Sequence, residues 1–265
     1  MARSIRNDIE TGVLRDGNVL PSTRDLAEQW GVSVFTITEA MKLLADEGVV
    51  ISKPRSKRVV SAPDQTRRSE IRTPKPHVLL IGGYAGSGKT ELGRMLARLT
   101  GWPFLDIDTL TRPVVEAALQ TIGLPPNDRE SDGYHTLIRP REYEALFAAL
   151  LDNVGCGNSA IVTAQFLREF DNVSWIRRTE ASLKSLDAKT TFVWVRCDVE
   201  LMQGNIRRRG AVRDSAKLAD WPAYSGSIDV DFRPPVPHQL VNNCTLGEPL
   251  QDQASKLLKA ILIGN

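Results

Sequence analysis

The sequence predicts an α/β protein with two domains, a small winged helix-turn-helix followed by a larger parallel sheet flanked by helices. Two capped helical patterns and a hairpin pattern fill the first 60 residues or so. From residue 76 onward, strand-like apolar runs alternate with helical patterns, which favours a parallel sheet with helices on both faces. A glycine-rich loop joins the first of these runs to a helix.

Three helices are predicted before residue 50. Apolar residues recur at helical spacing from the N-terminus to about Gly12 or Gly17. The second helix begins after Ser22 and ends at Gly31, and Ser33 caps the third, because serine is preferred at the N-cap and glycine after the last turn. Two short helices joined by a Gly-Val-Ser turn indicate a helix-turn-helix.

A hairpin and a linker are predicted next. The apolar residues 49–51 and 59–60 flank a basic turn at 53–58, which predicts a wing. Residues 63–75 lack apolar periodicity and have a proline near each end, so they are predicted to link a domain at 1–62 to a domain at 76–265. The eight Lys and Arg residues at 53–75 are interpreted either as a phosphate-contacting segment or as a solvated linker.

The glycine-rich loop, residues 82–90, has the spacing of a Walker A motif between a strand and a helix. Its backbone amides are expected to face a polyphosphate, with Lys89 at the outer phosphates and the Thr90 hydroxyl on Mg²⁺. A glycine-rich turn that matches by chance is the alternative interpretation. The predicted ATP-binding residues, with GTP not excluded, are Gly83, Gly86, Ser87, Gly88, Lys89 and Thr90.

Two carboxylates follow the second predicted strand, residues 103–107. Asp106 is predicted to hold a magnesium-bound water, and Asp108 to orient an acceptor hydroxyl or take its proton. The alternative is that this acidic strand end only caps the next helix, through Asp108 and Thr109. Further on, residues 205–214 form an arginine-rich helix end, interpreted as a lid that neutralises phosphate charge or as solvated arginines.

The first 60 residues resemble the winged helix-turn-helix of the GntR family, on residues Leu20-Pro21-Ser22, Arg24, Leu26-Ala27, Val32-Ser33, Thr36, Ala40, Leu44 and Glu47-Gly48. The resemblance implies DNA contacts by Arg24, Thr36, Thr38, Lys42, Arg55, Lys57 and Arg58. Two arginines that are common in the family are replaced by Val34 and Thr38, and the usual glycines at the wing tip by Ser56 and Arg58. We therefore expect different or weaker base recognition. A winged helix that serves only as a protein interface is the alternative.

Residues 76–265 resemble the small P-loop kinases of the shikimate kinase, gluconate kinase and chloramphenicol phosphotransferase group and the zeta-toxin-like kinases. The resemblance rests on the Walker A motif, on Asp106-Ile107-Asp108, and on Val195-Arg196-Cys197-Asp198 before the arginine-rich segment. It implies a five-stranded parallel sheet and an acceptor site in the insert 128–143, where Arg139 and Arg141 are either grips for an anionic acceptor or ordinary surface residues. It also assigns catalytic roles to Lys89, Asp108, Arg209 and Arg213, and nucleotide contacts to Arg207 and Asn242.

The remaining expectations concern the whole chain. Three widely spaced cysteines, no apolar signal core and no apolar stretch long enough for a membrane span suggest a cytoplasmic protein that does not contact membranes. The two resemblances suggest a homodimeric regulator of a double-stranded DNA operator that responds to Mg²⁺-ATP, with or without a small hydroxylated ligand. An active small-molecule kinase is the alternative, and an interaction module with a degenerate nucleotide site is a third.

Overall fold

The computed structural model describes residues 2–10, 14–53, 57–61 and 75–263. The chain divides into two compact units, Met1–Pro74 and Lys75–Asn265. Each unit is described by itself below. Within the described ranges, no helix is both long enough and apolar enough to span a membrane.

The first unit contains three helices and a hairpin: α1 Ala2–Glu10, α2 Thr23–Trp30, α3 Val34–Asp46, β1 Val50–Lys53 and β2 Lys57–Val60. Ser22 caps α2 with a capping box, in which the Asp25 side chain returns the bond, and Ser33 caps α3. Gly31 ends α2 with φ of +62°, a left-handed value that suits glycine. These local signals explain why the predicted helices form where they do.

The core of this unit lies between the helices and the hairpin. Ile37 and Leu44 on α3 are fully buried, and Val60 on β2 packs into the same cluster. β1 and β2 are antiparallel with Val50 opposite Val60, and Val19 forms an isolated bridge with Val59. The predicted winged helix-turn-helix is confirmed. The predicted wing turn at 54–56 and most of the predicted linker lie outside the described residues.

The second unit alternates strands and helices: β3 His77–Gly82, α4 Lys89–Thr100, β4 Phe104–Asp106, α5 Ile107–Thr121, a π-helical turn Tyr134–Ile138, α6 Arg139–Gly155, β5 Ala160–Thr163, α7 Leu167–Phe170, α8 Val173–Lys184, β6 Lys189–Cys197, α9 Val199–Arg209, a 3₁₀ turn Val212–Asp214, α10 Ser215–Ala219, α11 Trp221–Gly226, β7 Gln239–Asn243 and α12 Leu250–Ile263.

These strands form one parallel five-stranded sheet in the order β4-β5-β3-β6-β7. The central strand β3 is buried along its whole length, because helices cover both faces of the sheet. Val78 and Leu80 pack into the cluster on one face with Trp194, and Leu79 and Ile81 pack on the other face. The predicted five-stranded parallel sheet is confirmed.

The order of the strands places the functional loops. β3 lies between β5 and β6, and β4 lies beyond β5, so the carboxyl ends of β3, β4 and β5 are neighbours at one edge of the sheet. Asp106 at the end of β4 pairs in register with Thr163 at the end of β5, and Ile81 on β3 pairs with the same threonine. Ligands of open parallel sheets bind at this edge.

Candidate functional site

The glycine loop between β3 and α4 has a backbone shape that requires glycine. Gly86 and Gly88 have φ values of +80° and +95°, in the left-handed region. A Cβ atom on Gly86 would lie 2.6 Å from the carbonyl oxygen of Met202 on α9. The amide of Gly83 donates to the carbonyl of Gln165 at 3.1 Å, which ties the start of the loop to the chain after β5.

Several amides at the end of this loop lack an acceptor. α4 begins at Lys89 after Gly88, which supplies no side-chain cap. Across the described ranges, the amides of Gly88, Lys89 and Thr90 donate no hydrogen bond. The first amides of a helix have no intrahelical partner and carry the positive end of the helix dipole. Their natural ligand is an anion such as phosphate.

Lys89 is a desolvated cation in the same place. Its side chain is 7% exposed, and its ammonium group donates to the Tyr84 carbonyl at 3.3 Å. Burial lowers the Lys89 pKa; the Asp108 carboxylate opposes this shift, and the Arg209 guanidinium adds to it. Burial of a cation near other cations is unfavourable unless an anion compensates. Lys89 therefore adds to the preference of the loop for a polyanion.

Asp106 joins the glycine loop to the neighbouring strands. Its Oδ2 atom accepts hydrogen bonds from the hydroxyls of Thr90 at 3.1 Å and Thr163 at 2.7 Å. Its Oδ1 atom accepts from the amide and the hydroxyl of Thr109 and caps α5. Asp106 is 4% exposed, and both of its oxygens are used. The N-cap of α5 is thus Asp106, whereas the sequence offered Asp108 and Thr109 as the capping residues.

The oxygen atoms of Thr90 and Asp106 fit a magnesium ion. Mg²⁺ prefers oxygen ligands, keeps several waters and is usually held by one or two protein groups together with substrate phosphates. No group of three or more His, Cys, Asp or Glu residues suitable for a metal occurs in the described ranges. The Thr90 hydroxyl is the group that would ligate the ion directly. Asp106, which already accepts from that hydroxyl, would orient it and hold a metal-bound water.

Two cavities meet beside the loop. The first, which we call the loop cavity, has a volume of about 530 Å³, and the second, which we call the tyrosine cavity, has a volume of about 400 Å³. All four tyrosines of the chain line the second. Both cavities are lined by the same five residues, which we call the shared wall: Lys89, Asp106, Asp108, Arg209 and Arg213.

Ion pairs organise the cationic part of the shared wall. Arg213 contacts Asp108, with 2.7 Å between Nη2 and Oδ2. Arg209 donates from Nε and Nη2 to the buried carboxylate of Asp214, at 3.0 and 2.7 Å. Two of the three arginines predicted for the lid, Arg209 and Arg213, thus line both cavities, and each is held by a carboxylate. An anionic group that enters either cavity competes with these carboxylates for the guanidinium groups.

Glu142 is one of three buried acids that line the tyrosine cavity, with Asp106 and Asp214. It is 6% exposed and accepts hydrogen bonds from the Thr111 hydroxyl at 2.8 Å and the Tyr134 hydroxyl at 2.7 Å. Burial raises the pKa of Tyr134, and the Glu142 carboxylate raises it further. Tyr134 therefore remains a protonated donor, and its π-helical turn sits at the entrance to α6, a type of turn common at functional sites.

Arg139 also lines the tyrosine cavity, but its charge is compensated. Its guanidinium makes a bidentate pair with Glu169, with contacts of 2.8 and 2.9 Å, and lies 4.3 Å from the centre of the Tyr143 ring. Two other lining groups have no such partner within the described residues. Arg168 makes no hydrogen bond or ion pair there, and the buried Nδ1 of His135 has no hydrogen-bond partner.

Besides Gly83, four residues predicted to contact the nucleotide or the acceptor line neither cavity. Arg207 is exposed, and Arg208 lines the loop cavity instead, because one step along a helix turns the side chain by about 100°. Arg141 points away and pairs with Glu144, since two steps from Arg139 nearly reverse the direction on α6. The Ser87 amide donates to Tyr84, and its buried hydroxyl has no partner.

Asn242 is the fourth of these residues. Its backbone bonds to the Gln253 side chain, whereas the next residue, Asn243, donates from its side chain to the Ser87 carbonyl at 2.9 Å. Alternate residues of a strand point to opposite faces, so a shift of one position changes which side chain reaches the loop. Asn243 is thus the residue of β7 that contacts the glycine loop.

Most of the predicted DNA contacts lie on the outside of the first unit. Thr36, Thr38 and Lys42 are exposed on α3, and Arg24 is exposed on α2. Lys57 is exposed on the wing, and Arg58 donates to the Thr23 hydroxyl at 2.6 Å, which places the wing base beside the start of α2. Arg55 lies outside the described residues.

Sequence reasoning assigned no individual role to four residues that line the cavities: Glu142, Arg168, Asn205 and Arg208. Asn205 on α9 donates to the Gly86 carbonyl at 2.9 Å, and the Asn at this position was visible in the arginine-rich segment. Glu142 had no comparable signal, because an acidic residue near a helix start is common on surfaces.

Known proteins match the two parts of the chain separately. Residues 1–60 match the model of the gntR family of bacterial regulatory proteins, and residues 78–226 match the AAA domain model. Shikimate kinase from Moorella thermoacetica is 32% identical over 116 residues, 41% of this chain and 63% of that protein. The Escherichia coli K12 regulator GgaR is 47% identical over 49 residues, 18% of this chain and 20% of that protein. The chain therefore spans less than two thirds of the length of these curated relatives.

Among solved structures, a candidate kinase from Chloroflexus aurantiacus superposes with a TM-score of 0.52 over 72% of this chain and 98% of its own, at 16% identity. At this identity the likeness concerns the fold alone. The AAA domain match, residues 78–226, covers more than half of the 265 residues. The chain therefore belongs to the AAA domain family, with a P-loop kinase-like domain that follows a gntR-family helix-turn-helix domain.

Proposed function

We propose that the chain is a DNA-binding transcriptional regulator whose P-loop domain binds Mg²⁺-ATP, and that the nucleotide controls DNA binding. The proposed domain limits are residues 1–62 and 76–265, with residues 63–75 as the linker. The observation that carries the nucleotide part is the start of α4. Its first amides lack acceptors within the described ranges and adjoin the buried Lys89 ammonium, and the shared wall adds Arg209 and Arg213 to the same cavity.

In the DNA part of the proposal, α3 enters the major groove and the wing contacts the flanking backbone. Arg24, Lys42, Lys57 and Arg58 supply positive charge for phosphates, and Thr36 and Thr38 lie on the same helix as Lys42. The 47% identity to GgaR over 49 residues supports this assignment. A two-fold operator suits two copies of such a domain, so we propose a homodimer.

In the nucleotide part, the amides after Gly88 and the Lys89 ammonium bind the phosphates. The Thr90 hydroxyl and Asp106 hold Mg²⁺, which neutralises phosphate charge when bound. Phosphate oxygens then compete with Asp214 and Asp108 for the guanidinium groups of the shared wall. This competition moves the lid only if the two lid positions differ in affinity for the nucleotide, which is the requirement for regulation. GTP meets the same phosphate contacts, and a small hydroxylated ligand in the tyrosine cavity fits the same scheme.

The test is a gel shift of the gene's own upstream DNA at moderate salt, with and without Mg²⁺-ATP. We expect the nucleotide to change the affinity of the native protein and to leave that of Lys89→Ala unchanged. Lys256→Ala is the matched control, because Lys256 is an exposed lysine that lines neither cavity and pairs with Glu248. It should respond to the nucleotide as the native protein does. A native protein that ignores this DNA under both conditions removes the support for the regulator.

A second function, phosphoryl transfer to a small hydroxylated acceptor, is favoured by the shared wall. The loop cavity and the tyrosine cavity meet at Asp108 and Arg213. An acceptor in the tyrosine cavity would present its hydroxyl to Asp108, which orients the hydroxyl and takes its proton. The acceptor oxygen bonds to the γ-phosphorus as the bond to ADP breaks, and Lys89, Arg209 and Arg213 neutralise the charge on the transferred group. The 32% identity to a shikimate kinase supports this candidate.

ADP formation with a panel of sugars, nucleosides, polyols and hydroxy acids tests this candidate. Asp108→Asn should abolish turnover and retain ATP binding, whereas Lys89→Ala should lose both. Binding is measured by titration calorimetry in the same buffer, so a loss of turnover is separated from a loss of nucleotide. An Asp108→Asn variant with native turnover excludes the role assigned to Asp108.

A further inference from the structure

The first two turns of α3 present an apolar surface where a DNA-contacting helix usually presents polar groups. Phe35 is 73% exposed and Val34 is 49% exposed. The inward face of the same helix is formed by other residues, among them the fully buried Ile37 and Leu44. Val34 and Phe35 therefore do not pack into the core of this unit and are available to contact a partner.

The hydroxyl groups around this pair are already engaged within the helix. The Ser33 hydroxyl accepts from the Thr36 amide at 3.1 Å and shares a 2.8 Å hydrogen bond with the Thr36 hydroxyl. The Thr38 hydroxyl donates to the Val34 carbonyl at 2.8 Å. These bonds turn polar groups towards the helix backbone. The surface left for a partner at the N-terminal end of α3 is mainly hydrocarbon.

The composition of α3 limits how it can recognise bases. Residues 34–46 contain no arginine, asparagine or glutamine, and these are the side chains that make bidentate contacts with guanine and adenine. Within α3, the positive charge nearest to Val34 is that of Lys42, about two turns away. Direct polar contacts with base edges are thus scarce on this helix.

The surroundings of the apolar pair suit nucleic acid rather than a hydrophobic protein partner. Arg58 reaches the Thr23 hydroxyl at 2.6 Å, so its charge lies beside Arg24 at the start of α2. Cations of this kind contact phosphates and position a recognition helix in the groove. In the major groove, the apolar group that each A·T pair presents is the 5-methyl group of thymine, which phenylalanine and aliphatic side chains contact.

We propose that Val34 and Phe35 contact thymine 5-methyl groups in the major groove, so that this chain selects A·T pairs at its operator by apolar contact. The proposal rests on the proposed DNA-binding function and specifies its base recognition. It also assigns a role to Val34, which stands where the GntR pattern commonly has arginine.

Uracil substitution is the direct test, because uracil lacks only the methyl group and keeps every hydrogen-bonding atom of thymine. A duplex is first enriched from a randomised 30-base-pair library by the full-length native protein. Each thymine is then replaced singly by uracil. We expect about a fourfold loss of affinity for each contacted methyl, the equivalent of one buried methylene group. The losses should fall at one or two positions in each half-site.

Variants assign the effect to residues. Phe35→Ala should bind the thymine and uracil duplexes equally at the affected position. Leu43→Ala is the matched control, because Leu43 is also exposed, at 56%, on the same helix but more than two turns away. This control should keep the fourfold discrimination. Val34→Ala provides a second substitution if Phe35→Ala does not fold, and the uracil scan itself needs only the native protein.

The possible outcomes separate the inference from the proposed function. Sequence-selective binding with no loss at any uracil overturns the inference and leaves DNA binding in place. No enrichment of any duplex overturns both. Loss of self-association in Phe35→Ala, measured by sedimentation, together with an unchanged uracil effect, shows that this face is a protein interface and also overturns the inference.

Discussion

Gly88→Ala tests whether the glycine loop depends on its backbone geometry as the structure indicates. Gly88 is the N-cap of α4, with φ of +95° and ψ of 8°. A Cβ atom at this position would collide with the Asn243 side-chain nitrogen. That nitrogen donates to the Ser87 carbonyl at 2.9 Å, so the bond between β7 and the loop must break or the loop must move.

The expected cost follows from these two effects. A left-handed conformation costs a residue with a Cβ about 1–2 kcal/mol. Loss of a neutral hydrogen bond costs about 0.5–1.5 kcal/mol. We therefore expect Gly88→Ala to lower the free energy of unfolding of the second unit by about 2–3 kcal/mol. The same substitution should abolish Mg²⁺-ATP binding, because the loop amides no longer hold their positions.

Urea unfolding followed by tryptophan fluorescence measures this cost. Trp102, Trp175, Trp194 and Trp221 lie in the second unit, and Trp30 alone lies in the first, so the signal reports mainly on the second unit. Gly204→Ala is the matched control, since Gly204 lies inside α9 and an added Cβ meets nothing within 4 Å. This control should gain up to about 1 kcal/mol from helix propensity. Equal effects of the two substitutions would refute the geometric argument.

Three further predictions address protonation, the metal and base recognition. Burial lowers the His77 pKa, so the imidazole binds a proton more readily in the unfolded chain than in the folded chain. The free energy of unfolding should therefore fall as the pH drops from about 7 towards 5. In His77→Gln, the urea midpoint should depend less on pH over this range. Asp106→Asn should reduce the Mg²⁺ dependence of nucleotide affinity about tenfold, measured by calorimetry with and without the ion. When duplexes are enriched from the randomised library with Val34→Arg, one selected position should change to a G·C pair, and guanine should be preferred there over other bases by about 1–3 kcal/mol. The same enriched duplexes as for the native protein would contradict this prediction.

The parts of the fold that the sequence predicted well depend on local signals. Ser22 and Ser33 cap helices because a serine hydroxyl accepts an amide two or three residues on, whatever the rest of the chain does. The buried β3 could be recognised because a strand covered on both faces is apolar throughout. The glycine loop then followed from its position between that strand and α4.

The parts of the site that were predicted poorly depend on the direction of a side chain. The arginine-rich segment was located correctly, yet Arg208 rather than Arg207 lines the loop cavity. Asn243 rather than Asn242 contacts the loop. A sequence shows the periodicity of a helix or strand, but the face that meets a cavity is set by packing against distant elements.

The tyrosine cavity is the clearest case of a site that sequence reasoning could not assemble. Its tyrosines come from the glycine loop, the π-helical turn, α6 and α11, which are brought together only by the sheet order. The sequence interpretation gave Arg139 and Arg141 equal weight. In the structure, the acid Glu169 compensates Arg139, and Arg141 lies on the surface.

The ion pair between Arg213 and Asp108 connects the two proposed functions. It lies in the shared wall, so a phosphate that draws Arg213 away also frees the carboxylate that would receive an acceptor hydroxyl. A regulator that senses ATP through this arginine therefore retains the geometry of a kinase, even if no acceptor is used. The variant Asp108→Asn distinguishes nucleotide sensing from phosphoryl transfer. Removal of its charge releases Arg213 and should tighten nucleotide binding in either case. Only a chain that transfers phosphate also loses turnover, and weaker nucleotide binding in this variant would exclude the competition for Arg213.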